Sequence, residues 1–271
     1  MIHPTALIHA GAQLGEGCSV GAYAVIDEHV VLGPGNVLGP GVHLTGHTTV
    51  GARNRFHAGA VIGDAPQDLK YAGQPTRLVI GDDNQFREHV TIHRSNSLAE
   101  DTVIGNGNLF MASSHVGHNC RVGNQNVVAN GALLAGHVEV ADRAFISGNC
   151  LVHQFCRIGR LAMMHGGTAI SKDLPPFCIV RALNRLCGLN IVGLRRAGFS
   201  SAERLALKQA YRRVFRSNDR FQACLAAAQQ EFSAVPVVQE FIAFSARSKR
   251  GLCADVGRLH GGRLDAVEEI A

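Results

Sequence analysis

The chain has 271 residues, a formal net charge of +5, 46% hydrophobic and 17% charged residues, and no tryptophan. This is the composition of an ordinary globular protein with room for one large domain and a small one, and no run approaches the ~18 uninterrupted apolar residues of a membrane span. No charged region leads into an apolar signal core at the amino terminus, so a cytoplasmic protein is expected.

From Ile2 onward an aliphatic or aromatic residue recurs every sixth position, through Ile8, Leu14, Val20, Ile26, Leu32, Leu38, Leu44, Val50 and Phe56 to Ile62. Six is a multiple of the strand period and a poor match to a helical one, so each hexad reads as a short strand plus a corner, the signature of a solenoid. Four residues after each large apolar position comes a small one, as at Ala24, Ala60, Cys120 and Ala132, and it is expected to point inward as well. Glycine often follows the aliphatic, and asparagine stands at 36, 54, 84, 108 and 126; both suit corners that need positive φ. Three hexads per coil then fill a narrow triangular core.

Two segments interrupt the pulse without losing its phase, 64–79 and 94–102. Asp68 and Gln74 sit where aliphatics belong, so the first must be a loop leaving the coil. Loops that break a regular scaffold carry function disproportionately. The pulse resumes at Ile104 and runs to Ile170, and the solenoid is expected to fill 1–175, closing at the prolines of DLPP. A connecting segment, 176–199, follows. Ser200 to Glu203 forms a capping box, with Leu205, Ala206, Ala210, Val214 and Phe215 at helical spacing behind it. Further helices are predicted near 219–232 and 237–248, making a helical domain over 200–252 that caps the open end of the solenoid. No structure is assigned to the tail, 253–271.

Of eight cysteines, Cys18, Cys120, Cys150 and Cys156 fall in the small inward register, where a thiol acts as a small hydrophobe. The other four form no CxxC pair, so neither a zinc knuckle nor a redox motif is supported.

Three hexads per coil stack residues eighteen apart at a strand spacing of about 4.8 Å. His118, Gly136 and Gln154 therefore form one column, and Asn119 and His137 the next, with His115 and His153 nearby. A histidine base beside a glycine that exposes its backbone N–H is what acyl transfer requires. Single histidines at solenoid corners are usually just solvated, and His3, His9, His43, His47 and His57 are read that way. A three-histidine zinc site shared between subunits is the other chemical reading, but spacing specifies no third ligand.

The segments PQDLKYAGQPT, VTIHRS, HVGHNC, LAGHVEV, VHQF and GLNIVGLRRAGFS, in this order, closely resemble the UDP-N-acetylglucosamine O-acyltransferases of lipid A biosynthesis. The resemblance covers Ile2 to Leu252 and implies a left-handed parallel β-helix with a helical C-terminal domain, a homotrimer, and no cofactor or metal. It implies transfer of a 3-hydroxyacyl group from acyl carrier protein to the 3-position of UDP-N-acetylglucosamine. His118 matches the general base and Gly136 the N–H that holds the oxyanion. Gln67, Asp68, Lys70, His93, His115, His137, His153, Gln154, Asn190 and Arg196 match substrate-binding positions, and Gly166 the position that limits acyl length. Asn119 stands where the family often has an aspartate that orients the base, and Val192 and Ala197 replace an acid and an arginine of the nucleotide segment. Arg195, Arg196, Arg204, Arg212, Arg213 and Arg216 make the helical domain basic, which suits an acidic carrier protein. No aromatic ladder accompanies them, so nucleic acid is a poor partner. An acetyl-CoA-dependent sugar acetyltransferase and a non-catalytic solenoid are the competing readings.

Overall fold

The computed structural model describes residues 1–255. Each hexad forms a strand of about two paired residues, such as Val25–Ile26 or Val127–Val128, whose first side chain points outward and whose second is buried. Every third strand pairs in parallel: Val25 lies beside His43 and Ile26 beside Leu44. The result is three parallel sheets around a triangular core, with nine, eight and eleven strands among the described residues. The first face begins at Leu7–Ile8, the second at Gln13–Leu14 and the third at Ser19–Val20.

The core consists of columns running along the axis. Phe56, Phe86 and Phe110 stack with ring centroids 4.8 and 5.2 Å apart and planes within 7°. All three are essentially inaccessible to water, so each ring meets its neighbours and little else. The inward cysteines follow the same logic, with the thiols of Cys18, Cys120 and Cys150 donating to carbonyls fifteen residues on. All eight cysteines are free.

Two expectations about corners are corrected. The left-handed backbone position lies three residues after the core aliphatic, at Asn119, His137, Phe155 and their equivalents, and not at the asparagines of the small register or the glycines that follow the aliphatic, Gly63 excepted. Gly15 and Gly105 are required by close approach: a Cβ would stand 2.5 Å from the Gly33 carbonyl carbon and 2.6 Å from the Gly123 oxygen. The five asparagines point inward instead, as a fully buried ladder. Asn54 Nδ2 donates to Asn36 Oδ1 at 3.1 Å, Asn84 Nδ2 to Asn54 Oδ1 at 2.9 Å, and Asn108 Nδ2 to Asn84 Oδ1 at 2.9 Å. Asn126 closes the run by donating its backbone N–H to Asn108 Oδ1.

A buried amide is costly unless its donors and acceptors are satisfied, and from Asn36 to Asn108 one coil satisfies the next, while Asn126 Nδ2 at the end of the run has no partner among the described residues. Asn84 makes two such bonds as donor and two as acceptor. Asn84→Ala is expected to lower the unfolding free energy by ~3 kcal/mol, since it strands buried partners on both neighbouring coils, and chemical denaturation checks it.

The ladder also measures the two interruptions. Successive rungs are 18 residues apart, except for 30 between Asn54 and Asn84 and 24 between Asn84 and Asn108. The first excursion is shorter than 64–79: Asp64 ends a strand, and Arg77–Ile80 already pairs with His47–Val50. The second likewise ends before Thr102, which begins the strand Thr102–Ile104.

Past the last full coil the third face gains Cys178–Arg181, parallel to Met163–Met164, and this strand turns back into the antiparallel Arg185–Leu189. The connecting segment is thus partly sheet. Four helices follow: α1 Ile191–Arg196, α2 Ser201–Arg216, α3 Phe221–Glu231 and α4 Pro236–Ala246. The capping box is present in full, with Ser200 Oγ accepting from the Glu203 N–H and Glu203 accepting from the Ser200 N–H. Tyr211, Phe215 and Phe241 pack the helices together. Arg160 to Glu240 and Arg157 to Asp173 and the Phe244 carbonyl tie the helices to the final coil. Ala254–Asp255 pairs with Arg185–Leu186; the remainder of the tail lies outside the described residues. No helix among the described residues is long and apolar enough to cross a membrane.

Candidate active site at the corner between the first and second faces

His118 leaves the first face just after His115–Val116 and sits at the corner leading to Arg121–Val122. The predicted stacking holds. His137 N donates to His118 O at 2.9 Å and Phe155 N to Gly136 O at 3.2 Å, so the columns 118, 136, 154 and 119, 137, 155 run side by side. The His118 ring lies so close over Gly136 that a Cβ there would stand 2.6 Å from Cε1 and 2.7 Å from Nε2. Among the described residues the Gly136 N–H makes no backbone hydrogen bond.

Asn119 is almost fully buried, and its hydrogen bonds determine the protonation of the histidine beside it. Its Nδ2 donates to Ser95 Oγ at 2.8 Å and to Glu100 Oε1 at 3.0 Å. A carboxylate only accepts, so the amide is oriented, and Oδ1 faces the Asn96 N–H at 3.0 Å and His118 Nδ1 at 2.8 Å. Nδ1 must therefore carry the proton, which leaves Nε2 with its lone pair free. The left-handed backbone of Asn119, φ 59, turns the amide back toward its neighbour.

Asp68 Oδ2 accepts from Asn96 Nδ2 at 2.7 Å, joining the first excursion to the second. The Lys70 N–H and the Asn96 amide hold the Asp68 carboxyl below the ordinary range, and its charge also interacts with His118. Gln67 and Lys70 are exposed on the same excursion. His115 donates to or accepts from Thr91 Oγ1 at 2.7 Å, and burial beside His93 and His118 pushes its imidazole down to about 4. His93 packs edge-on against His115, with centroids 4.9 Å apart; burial lowers it too, and its Nδ1 has no hydrogen-bond partner. His137 stacks on Phe155 at 4.6 Å and meets His118 edge-on at 5.2 Å, and burial lowers it despite Glu100 nearby. His153 and Gln154 are exposed on the next coil. The corner thus gathers His93, His115 and His137, each lowered by burial, around the oriented ring of His118.

The remaining candidates lie elsewhere in the chain. Asn190 caps α1, accepting from the Gly193 N–H at 2.9 Å, and its Nδ2 donates to the Leu161 carbonyl at the corner between the second and third faces. Arg196 is exposed at the end of α1. Gly166 is exposed on the third corner, 3.6 Å from Gly148 O as measured from an added Cβ. No group of three or more histidine, cysteine, aspartate or glutamate side chains among the described residues is arranged to hold a metal ion.

Residue-by-residue reading missed Ser95, Asn96, Glu100 and Thr102, whose side chains or backbone fix Asn119. The available signal was the second break itself, a polar segment kept in phase with the coil.

Comparison with known proteins shows which family the whole chain resembles. Residues 173–253 match a family described as UDP-N-acetylglucosamine O-acyltransferase, domain 2, and 29–64 and 101–136 match the bacterial transferase hexapeptide repeat. An acyl-(acyl-carrier-protein)–UDP-N-acetylglucosamine O-acyltransferase of Anaeromyxobacter sp. (strain Fw109-5) is 51% identical over 253 residues, 93% of this chain and 98% of its own. One from Synechocystis sp. is 53% identical over 248 residues, 91% of this chain and 90% of its own. The solved Francisella novicida UDP-N-acetylglucosamine acyltransferase superposes with a TM-score of 0.93 at 33% identity, covering all of both chains. The Arabidopsis enzyme gives 0.83 at 37% identity over 93% of this chain and 100% of its own. These likenesses give the β-helix its left-handed sense, against the right-handed rule for ordinary parallel crossovers. With relatives this similar along almost its whole length, the chain belongs to the acyl-(acyl-carrier-protein)–UDP-N-acetylglucosamine O-acyltransferases.

Proposed function

We propose that this protein transfers a 3-hydroxyacyl group from acyl carrier protein to the 3-hydroxyl of UDP-N-acetylglucosamine, the first step of lipid A biosynthesis, at the His118 corner. The observation that carries the residue assignments is the free Nε2 of His118 held directly over Gly136 by the Asn119 amide. In this reading Nε2 takes the proton from the sugar hydroxyl as its oxygen attacks the thioester carbonyl. The tetrahedral oxyanion accepts a hydrogen bond from the Gly136 N–H. Collapse breaks the C–S bond, and the His118 imidazolium returns its proton to the departing thiolate, leaving an ester on the sugar.

Asp68, Lys70, Gln67, His93, His115, His137, His153 and Gln154 would line the path of the two substrates around that corner. His93 Nδ1, buried without a partner, has a hydrogen bond to offer a ligand. Asn190 and Gly166 stand at other corners and Arg196 at the end of α1, so in this reading a site that uses them together with His118 draws on more than one copy of the chain. Exposed apolar residues support such an assembly, which we take to be the homotrimer: Leu133 and Leu151 lie in register on the first face, 43% and 49% exposed, and Phe145 stands out from the third. The exposed Arg195, Arg196 and Arg212 suit docking of an acidic carrier protein. A cytoplasmic location fits these substrates.

Purified protein given UDP-N-acetylglucosamine with 3-hydroxyacyl carrier protein or, separately, acetyl-CoA is expected to form product with the first donor at least ~100-fold faster, read by mass spectrometry of the acylated sugar nucleotide. Equal rates with acetyl-CoA would return the reading to a sugar acetyltransferase.

A further inference from the structure

Asn119 is neutral, yet the base it orients becomes a cation during the reaction. The second excursion brings a carboxylate to the far side of that amide. Glu100 Oε1 accepts from Asn119 Nδ2 at 3.0 Å while Asn119 Oδ1 accepts from His118 Nδ1 at 2.8 Å. We propose that Glu100 is a positioning residue that supplies, through the Asn119 amide, the negative charge that stabilises protonated His118.

An amide whose N–H donates to an anion is polarised, with more electron density on its oxygen. Oδ1 is then a stronger acceptor for Nδ1–H, and the gain is larger for the imidazolium than for the neutral ring. No proton travels through the amide: the sugar proton stays on Nε2 until the thiolate leaves. Ser95 Oγ and the Asn96 N–H keep the Asn119 side chain from rotating. Thr102 Oγ1 anchors its backbone N–H at 2.7 Å. The Glu100 side chain is 40% exposed, so solvent screens its charge and the effect is moderate.

The other charged or titratable groups around His118 are Asp68 from the first excursion, His93 and His115 on the first face, and His137 on the next coil, whose Nδ1 lies 3.5 Å from Glu100 Oε1. All of them remain when Glu100 alone is changed. The inference rests on His118 being the base.

The test is steady-state kinetics of the full-length enzyme across pH. Glu100→Gln is expected to lower kcat about fivefold with the KM for UDP-N-acetylglucosamine changed less than about twofold, and to move the acid limb of kcat/KM about half a pH unit lower, because the imidazolium loses stabilisation. NMR titration of the labelled His118 ring, which separates it from His137, should show the same downward shift. Glu100→Asp keeps the charge and should restore most of the limb. In an Asn119→Asp background the charge is already adjacent to His118 and repels Glu100, so Glu100→Gln is expected to raise kcat. A pH profile that superimposes on wild type, or an equal loss from Glu100→Gln in both backgrounds, overturns the role. Either result beside an inactive His118→Ala would leave the base assignment standing, whereas an active His118→Ala would remove the base and this inference together.

Discussion

His118→Ala is expected to lower kcat by about two orders of magnitude or more while leaving the KM for UDP-N-acetylglucosamine within a few-fold of wild type. A sugar hydroxyl is a poor nucleophile until its proton has somewhere to go, and only an unprotonated nitrogen within reach can take it. The Asn119 amide, oriented by Glu100 and Ser95, forces the His118 proton onto Nδ1 and so dedicates Nε2 to that task. The surrounding histidines are poor substitutes. His115 is held at about 4, and His93 is almost completely buried, so neither ring readily takes on the charge that a base must carry. His118 is half-buried and its ring is held by one hydrogen bond, so thermal stability should barely change. A variant retaining more than about a tenth of wild-type kcat would show that the base lies elsewhere, and full activity would favour a solenoid whose chemistry does not pass through this corner.

Gly136→Ala is the second large effect expected, a loss of about 100-fold in kcat, on the scale that a 1 Å misplacement of a catalytic group produces. The backbone at Gly136 is not in the left-handed region, so alanine is conformationally acceptable there. The penalty comes from the added methyl, which would stand 2.6 Å from His118 Cε1 and 2.7 Å from Nε2. Because Nδ1 is tied to Asn119, the ring escapes by tilting about that bond, and this carries Nε2 away from the Gly136 N–H. The amide itself is retained, so the loss reports on geometry between base and oxyanion site. Stability measured by thermal unfolding should change little, while kcat falls and KM does not. Wild-type kcat in this variant would mean that the two groups do not act on the same reacting carbonyl.

Much of this site was legible before any coordinates. The eighteen-residue stacking of His118, Gly136 and Gln154 follows from the repeat alone, because a parallel ladder of short strands permits no other register once a large apolar residue must face inward every sixth position. The asparagines were misread for a related reason. Their positions fall in the same small register as Ala24 and Ala60, but a polar side chain with a known liking for left-handed turns argues for a corner. Only an axial neighbour bearing the same amide makes the interior tolerable, and that neighbour is one whole coil away. The glycines after the aliphatics were assigned to φ when the contact with the next coil is what excludes a Cβ.

What the sequence by itself determined is the solenoid: its three faces, its two excursions, its helical end and the column of His118, Gly136 and Gln154. It did so because the repeat makes every coil a local copy of the last, and local patterns are what a sequence displays. What only the tertiary structure decided is how the irregular parts return to the coil. Asn96 reaches both Asp68, 28 residues away, and Asn119, 23 residues away, and Glu100 meets Asn119 across 19, none of them a multiple of six. Such contacts depend on loop geometry and on the competition of several amides for a few buried partners, which no period encodes. The tautomer of His118, on which the proposed chemistry turns, comes from that competition.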